Sequence, residues 1–372
     1  MPSPLRISAM LPFALVRRAV PSRAMQWLSP VLAAALTLVV GLAIFAALGQ
    51  DPVRAFRVYF VDPISDANGV SELLLKASPL CLIALGLAFG FRANVWNIGA
   101  EGQMYLGGIF ATGIAIHFQE HWGAWTLPSM ILAGAIGGML WASITAFLRA
   151  QLNANEILVS LMLTYVADLL VKYLVFGPWR DPNGNNFPIT VQFADNALFP
   201  LFASWWDWFE GTRLNASIFL TLAAIPLAWV FVKRTFLGFK LGVAGLAPAA
   251  ARYAGYSEKR AIWVVLAIGG ACAGLAGVSE VAGPLGQLND RWTPGYGFTA
   301  IIVAALGRLS PLGIPLAALL MALLYLGGES AQITLQLPRA IALVFQGLLL
   351  MFLLGCEVLV NFRIHRRGAA LV

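Results

Sequence analysis

The chain has 372 residues, of which 60% are hydrophobic and 11% charged, and its mean hydropathy is +0.80. A soluble domain carries about 25% charged residues, so this composition excludes an ordinary water-soluble fold and points to a polytopic membrane protein. The net charge of +7 is scattered between apolar runs and forms no basic patch, which argues against nucleic acid as a partner and reads as loop charge under the positive-inside rule.

Residues 1–26 form an arm bearing Arg6, Arg17, Arg18 and Arg23, expected in the cytoplasm. A first span follows at Trp27–Leu48. Its apolar run is about twice the length of a signal-peptide core, so an uncleaved helix is expected. Apolar runs at Leu73–Gly90 and Met104–His117 then flank the stretch Phe91–Gln103, which reads Phe-Arg-Ala-Asn-Val-Trp-Asn-Ile-Gly-Ala-Glu-Gly-Gln. Unpaired backbone and amide groups are costly in hydrocarbon, so such a stretch is buried in protein or lines a wet cavity. It is expected to be a broken helix or tight turn of a transport machine; the plainer alternative is an ordinary cytoplasmic loop.

The fourth span, Ala124–Leu148, includes Gly134, Gly137 and Gly138, small residues that let helices approach closely. A polar turn at 149–156 precedes the fifth, Ile157–Phe176, where Asn155 and Glu156 suit the helix start and Lys172 is expected to snorkel to the surface. Residues 177–214 are a long polar insertion in which Trp205, Trp206, Trp208 and Phe209 suggest an aromatic belt. A sixth span is expected at Ile218–Val232 and a seventh at Ala261–Ala282, on either side of the basic stretch 233–260. Further apolar runs occur at Phe298–Leu306, Leu312–Leu326 and Ile341–Val360. The expected fold is therefore an all-α polytopic membrane protein of about ten transmembrane helices, with eight as the alternative. Its permease domain would cover residues 27–360, and the tail 361–372 carries Arg363, Arg366 and Arg367. Both termini should be cytoplasmic, with 177–214 and 283–297 outside and 233–260 inside.

Within 233–260, Pro248 suits a first helical position and Gly255 a C-terminal cap, with Ala251, Arg252 and Tyr253 between them. A helix of two turns does not hold itself together in water and needs a docking surface on a partner; the alternative is a surface turn lying on the lipid headgroups. No GxxxxGK[ST] phosphate loop occurs in the chain, so any ATP that powers it must be bound by another subunit.

Asn94, Trp96, Asn97, Glu101 and Gln103 are the candidates for the solute path, since amides both donate and accept hydrogen bonds and an indole can stack on a flat ring. Alternatively they bond backbone groups and hold the break together. Glu280, with Gln287, Glu329 and Gln332, forms a second tier. Cys81, Cys272 and Cys356 have no metal-ligand spacing. No paired carboxylates or nucleophile–base spacing accompanies these residues, so neither a metal nor enzymatic catalysis is expected.

Three stretches carry a resemblance: the Asn-Ile-Gly-Ala-Glu-Gly-Gln core of Phe91–Gln103, Asn155-Glu-Ile-Leu-Val-Ser-Leu-Met-Leu-Thr-Tyr165, and Val243-Ala-Gly-Leu-Ala-Pro-Ala-Ala-Ala-Arg-Tyr-Ala-Gly255. Together they resemble permease subunits of bacterial ABC importers in the nucleoside and simple-sugar branch, and more distantly the ribose and branched-chain amino-acid permeases. The resemblance implies an inner-membrane transport subunit that pairs with a second permease, often a different one. It also implies a cytoplasmic ABC ATPase that holds the ATP and magnesium, an extracytoplasmic substrate-binding protein, and membrane lipid around the whole. Gly245, Pro248, Ala251, Arg252, Tyr253 and Gly255 are then the ATPase-coupling residues. The chain departs from the family pattern at Ala247 and Ala249, where Asn and Glu are common, which removes a helix cap and a favourable dipole contact. The competing readings are an ion-coupled secondary transporter with Glu101 as the relay, and a membrane-embedded assembly or receptor subunit.

Overall fold

A computed structural model describes residues 13–18, 22–338 and 340–366. Residues 1–12 and 19–21 of the expected arm, including Arg6, and 367–372 of the tail, including Arg367, lie outside the described residues.

In chain order the helices are α1 (Arg23–Ala47), α2 (Pro52–Phe56), α3 (Ala67–Arg92), α4 (Ala100–Trp122), α5 (Thr126–Leu152), α6 (Glu156–Phe176), α7 (Ile218–Arg234), α8 (Phe236–Leu246), α9 (Pro248–Tyr253), α10 (Glu258–Glu280), α11 (Tyr296–Leu306), α12 (Gly313–Thr334) and α13 (Ala340–Asn361). Their starts follow from short polar side chains that accept from the first free backbone N–H groups. Asp66 accepts from Gly69 ahead of α3, Asn155 from Ile157 and Leu158 ahead of α6, Thr235 from Gly238 ahead of α8 and Ser257 from Arg260 ahead of α10.

Among the described residues, seven helices are long and apolar enough to cross a membrane, or eight if α7 and α8, bent by 70° at Thr235, are counted as one span. The expected count of about ten is thus not reached on length and composition. Two helices account for the difference. α4 has 23 residues but carries Glu101, Gln103, His117, Glu120 and His121. α11 has only 11 residues, a rise of about 16 Å.

The chain divides into two compact units. In the unit formed by residues 1–61 and 327–372, α1 packs on α13, and the edge of the Phe345 ring fills the space beside Gly41. Phe45, Tyr59 and Phe345 stack as one aromatic core, with Tyr59 and Phe345 ring centres 4.8 Å apart. Two strands, β1 (Phe13–Arg17) and β2 (Phe362–Arg366), pair antiparallel. This ribbon is a departure from the all-α expectation. It joins the N-terminal arm to the start of the C-terminal tail.

The second unit, residues 62–326, holds the candidate site. Its centre is α10, which packs against α3, α4 and α5 through glycine. A side chain on Gly138 would strike the Gly270 carbonyl and one on Gly107 the Gly274 backbone, while Gly277 sits on the Met104 carbonyl. Small residues here permit backbone-to-backbone contact, and the absence of side chains at these points brings carbonyls and Cα atoms of neighbouring helices together.

Candidate functional site

The stretch 93–99 is the irregular segment between α3 and α4, and it turns back inside the helix bundle. Ala93 closes α3, Asn94 adopts a left-handed conformation at φ 56°, and the Val95 N–H bonds the Gly90 carbonyl at 2.9 Å. The chain then climbs to Asn97, whose amide lies 3.5 Å from the Cβ position of Gly269 on α10. Gly269 is eleven residues into α10, about 16 Å along its axis. The segment is therefore a helix break packed against the middle of α10, not a loop lying beyond the bundle.

Its polar side chains are spent on one another. Asn97 and Gln103 face each other as an amide pair: Asn97 Nδ2 donates to Gln103 Oε1 at 2.9 Å, and Gln103 Nε2 donates to Asn97 Oδ1 at 3.1 Å. Asn97 Oδ1 also takes the Gly99 N–H at 3.1 Å. Ser160 of α6 accepts from Ile98 N at 3.2 Å, and Gly99 and Gly102 press against Ser160 and Thr164. Both amides are buried.

Glu101 is also buried, on the first turn of α4. Its carboxylate accepts from Thr293 Oγ1 at 2.6 Å and from the Gly297 N–H at 2.5 Å. Thr293 in turn accepts from Gly295 and Tyr296. The free N–H groups and positive end of α11 thus converge on one acid. Part of 283–297, the segment expected outside, is packed among the helices. Leu288 pairs with Thr190 of the 177–214 insertion, but Trp292 is buried against Tyr105 and Gly108 of α4. α11 is a half-length helix whose N-terminus begins inside the bundle.

Asn94 and Trp96 lie elsewhere: both are exposed, and Trp96 Nε1 donates to Asn94 Oδ1 at 3.3 Å while its ring lies 4.8 Å from that of Phe91. The Trp96 N–H reaches Glu156 Oε1 at 3.5 Å, and the other oxygen of Glu156 pairs with Arg149 at 3.3 Å. Ala93, Asn94, Val95 and Arg149 share a cleft with Pro248, Ala251, Arg252 and Tyr256 of the segment expected to couple. One of the five first-choice pathway residues, Asn94, therefore stands beside α9. Glu280 sits at the far end of α10, buried, with Lys76, Arg213 and Glu72 as its charged neighbours. Arg213 holds Glu72 with two hydrogen bonds of 2.8 Å. The candidates do not form one cluster.

α9 runs from Pro248 to Tyr253, and Gly255 is left-handed at φ 76°. Its N-cap residue, Ala247, offers no side-chain cap. Ala251 is buried and fixes the helix to the body of the unit, whereas Tyr253 is 97% exposed. Gly245, on the preceding α8, touches the Arg92 carbonyl. Arg92 grips the Leu309 carbonyl with Nε and Nη2 at 3.0 and 2.8 Å. α8 itself was not foreseen; Thr235, a side-chain oxygen three residues ahead of Gly238, was its signal.

Residues 69–354 match the family model described as branched-chain amino acid transport system / permease component. The chain belongs to this family. This permease is 38% identical to a glucose ABC transporter permease protein of Haloferax volcanii, over 95% of this chain and 94% of that one. It is 28% identical to a nucleoside ABC transporter permease protein of Lactococcus lactis, over 81% and 83% of the two chains. A guanosine ABC transporter permease protein of Bacillus subtilis is 27% identical over 92% of this chain and 97% of its own. Haloferax volcanii and Lactococcus lactis each hold a second matching permease. The permease is accordingly a multi-pass transport component and not an enzyme. Its membership also removes the ground for an ion-coupled carrier, and in the structure the carboxylate offered as the relay, Glu101, is closed around the start of α11.

Proposed function

We propose that this chain is the membrane-spanning permease subunit of an ATP-driven importer that moves nucleosides or simple sugars inward across the bacterial inner membrane. The observation that carries the reading is α9: a two-turn helix fixed by Ala251 that holds Tyr253 almost wholly in solvent, in a chain whose relatives are ABC permeases. An exposed aromatic on a short, anchored helix suits a groove on an ATPase. Gly245, Pro248, Arg252 and Gly255 shape and present that helix. An extracytoplasmic binding protein delivers solute, and a second permease, similar but distinct, completes the pathway; the paired relatives in two organisms support this.

The chain crosses the bilayer ten times in this reading. α4 is a crossing made polar by its buried contacts, and residues 286–295 with α11 form one broken crossing, of the kind transporters use where backbone lines a cavity. The β1–β2 pairing supports an even count, with both termini on the cytoplasmic side.

The test is uptake of labelled guanosine, uridine and glucose by vesicles holding the complete transporter, with and without internal ATP. ATP-dependent accumulation of one class, abolished by Tyr253→Asp with the protein still in the membrane, is expected. Uptake that ignores ATP and follows an ion gradient would overturn the reading.

A further inference from the structure

α6 carries an ion pair in the middle of an otherwise apolar span. The helix buries one stripe, comprising Glu156, Ser160, Thr164, Ala167, Val171 and Val175. Asp168 and Lys172 lie on the margin of that stripe, with Lys172 Nζ 2.6 Å from Asp168 Oδ2. Their side chains are 28% and 42% exposed. Asp168 is twelve residues beyond Glu156, about 18 Å along a helix of about 31 Å, just past its middle. A carboxylate there is only partly covered by protein, and ionisable groups near the middle of a membrane-spanning helix face the bundle interior or a water-filled path.

The neighbouring side chains supply the rest of a site. Gly99 meets Ser160 and Gly102 meets Thr164, and the next step along both helices brings Tyr105 to the level of Asp168. Asp168 is within electrostatic range of Tyr105. The Tyr105 and Trp292 rings meet edge to face, 5.7 Å apart at 76°. Trp292 is 5% exposed, and its indole N–H has no hydrogen-bond partner. A buried donor of this kind is costly to leave unmade and is satisfied by a visiting acceptor.

We propose that the α6 margin bearing Asp168 and Lys172, with Tyr105 and Trp292, lines the aqueous path and binds the hydroxyl groups of an uncharged, polyhydroxylated ring solute. This rests on the importer reading and deepens it. The carboxylate accepts two O–H groups, the ammonium donates to ring or hydroxyl oxygens, and the aromatic faces cover the apolar face of a sugar or a base. The two charges cancel, so the site favours a neutral solute over an ion.

The experiment uses the complete transporter in proteoliposomes. The variant Asp168→Asn with Lys172→Met removes both charges together and leaves no unpaired charge. A second variant, Asp168→Cys in a background free of the three native cysteines, is treated with a membrane-impermeant thiol reagent, with and without millimolar guanosine or glucose. The expected results are a fall in uptake kcat/KM of about tenfold or more for the neutral pair, carried mainly by KM at unchanged membrane level, and labelling at position 168 that solute suppresses. Wild-type uptake by the neutral pair, or a thiol at 168 reached only by lipid-soluble reagents, overturns the proposal. Loss of ATP dependence in the wild-type protein would fail the importer reading instead, and the labelling still reports whether this margin is wet.

Discussion

The carboxylate of Glu101 accepts the backbone N–H of Gly297 at 2.5 Å, across 196 residues of sequence. An acid on the first turn of one helix thereby caps the start of another. Glu101→Ala would leave Thr293 and the head of α11 without their acceptor in the interior. The expected loss is about 3 kcal/mol of stability, within the range for hydrogen bonds to a charged group and the orphaned donors. Glu101→Gln keeps one oxygen and should retain most of the fold and much of the uptake. Thermal unfolding in detergent and vesicle uptake check both. A proton or sodium relay predicts the reverse for Gln: normal stability and no transport.

The Asn97–Gln103 amide pair makes a separable prediction. Asn97→Ala strands the Gln103 amide and the Gly99 N–H, at an expected cost of about 2–3 kcal/mol. The double variant with Gln103→Leu should lose less than the sum of the two single changes. A double-mutant cycle on unfolding is expected to give a coupling of about 1–2 kcal/mol.

Tyr253 separates folding from coupling. Its side chain is 97% exposed, so Tyr253→Ala should shift stability by no more than about 0.5 kcal/mol. Uptake should nevertheless fall at least about tenfold, the effect expected of an aromatic anchor in a docking surface. Ala247→Asn supplies the missing cap of α9 and should stabilise that helix by about 1 kcal/mol. Stimulation of the ATPase by the assembled permease is the readout, lowered by the first change and raised by the second.

Much of this was legible in the sequence, and the exceptions have physical causes. Pro248 and Gly255 mark the ends of α9 because each has a backbone preference that few other residues share. Phe91–Gln103 stood out because polar residues interrupt apolar ones, and the helix does break there. Which of its side chains face solute was not legible. Asn97, Glu101 and Gln103 read as open polar groups until their partners appear, and Thr293, Gly297 and Ser160 are distant in sequence. α11 resembled a full span because an apolar run shows hydropathy but not where its first turn sits. Asp168 has its signal in an Asp and a Lys four residues apart near the middle of an otherwise apolar helix.

Glycine contacts give the simplest stability test. Gly138→Ala drives a methyl into the Gly270 carbonyl and should cost about 1–3 kcal/mol by overpacking. Gly347→Ala on α13 meets nothing within 4 Å and should be neutral or stabilising by up to about 1 kcal/mol. Melting temperatures of the two variants, measured side by side, decide it.

The same contacts bear on how a transport cycle can move. Where Gly107 meets Gly274 and Gly138 meets Gly270, α4, α5 and α10 mesh at the level of the main chain, with no cushion of side chains whose rotamers could absorb a slide. A shift of even part of a turn would set carbonyl against carbonyl. These three helices are therefore expected to travel as one block, with the cleft that admits solute opening along their outer margins.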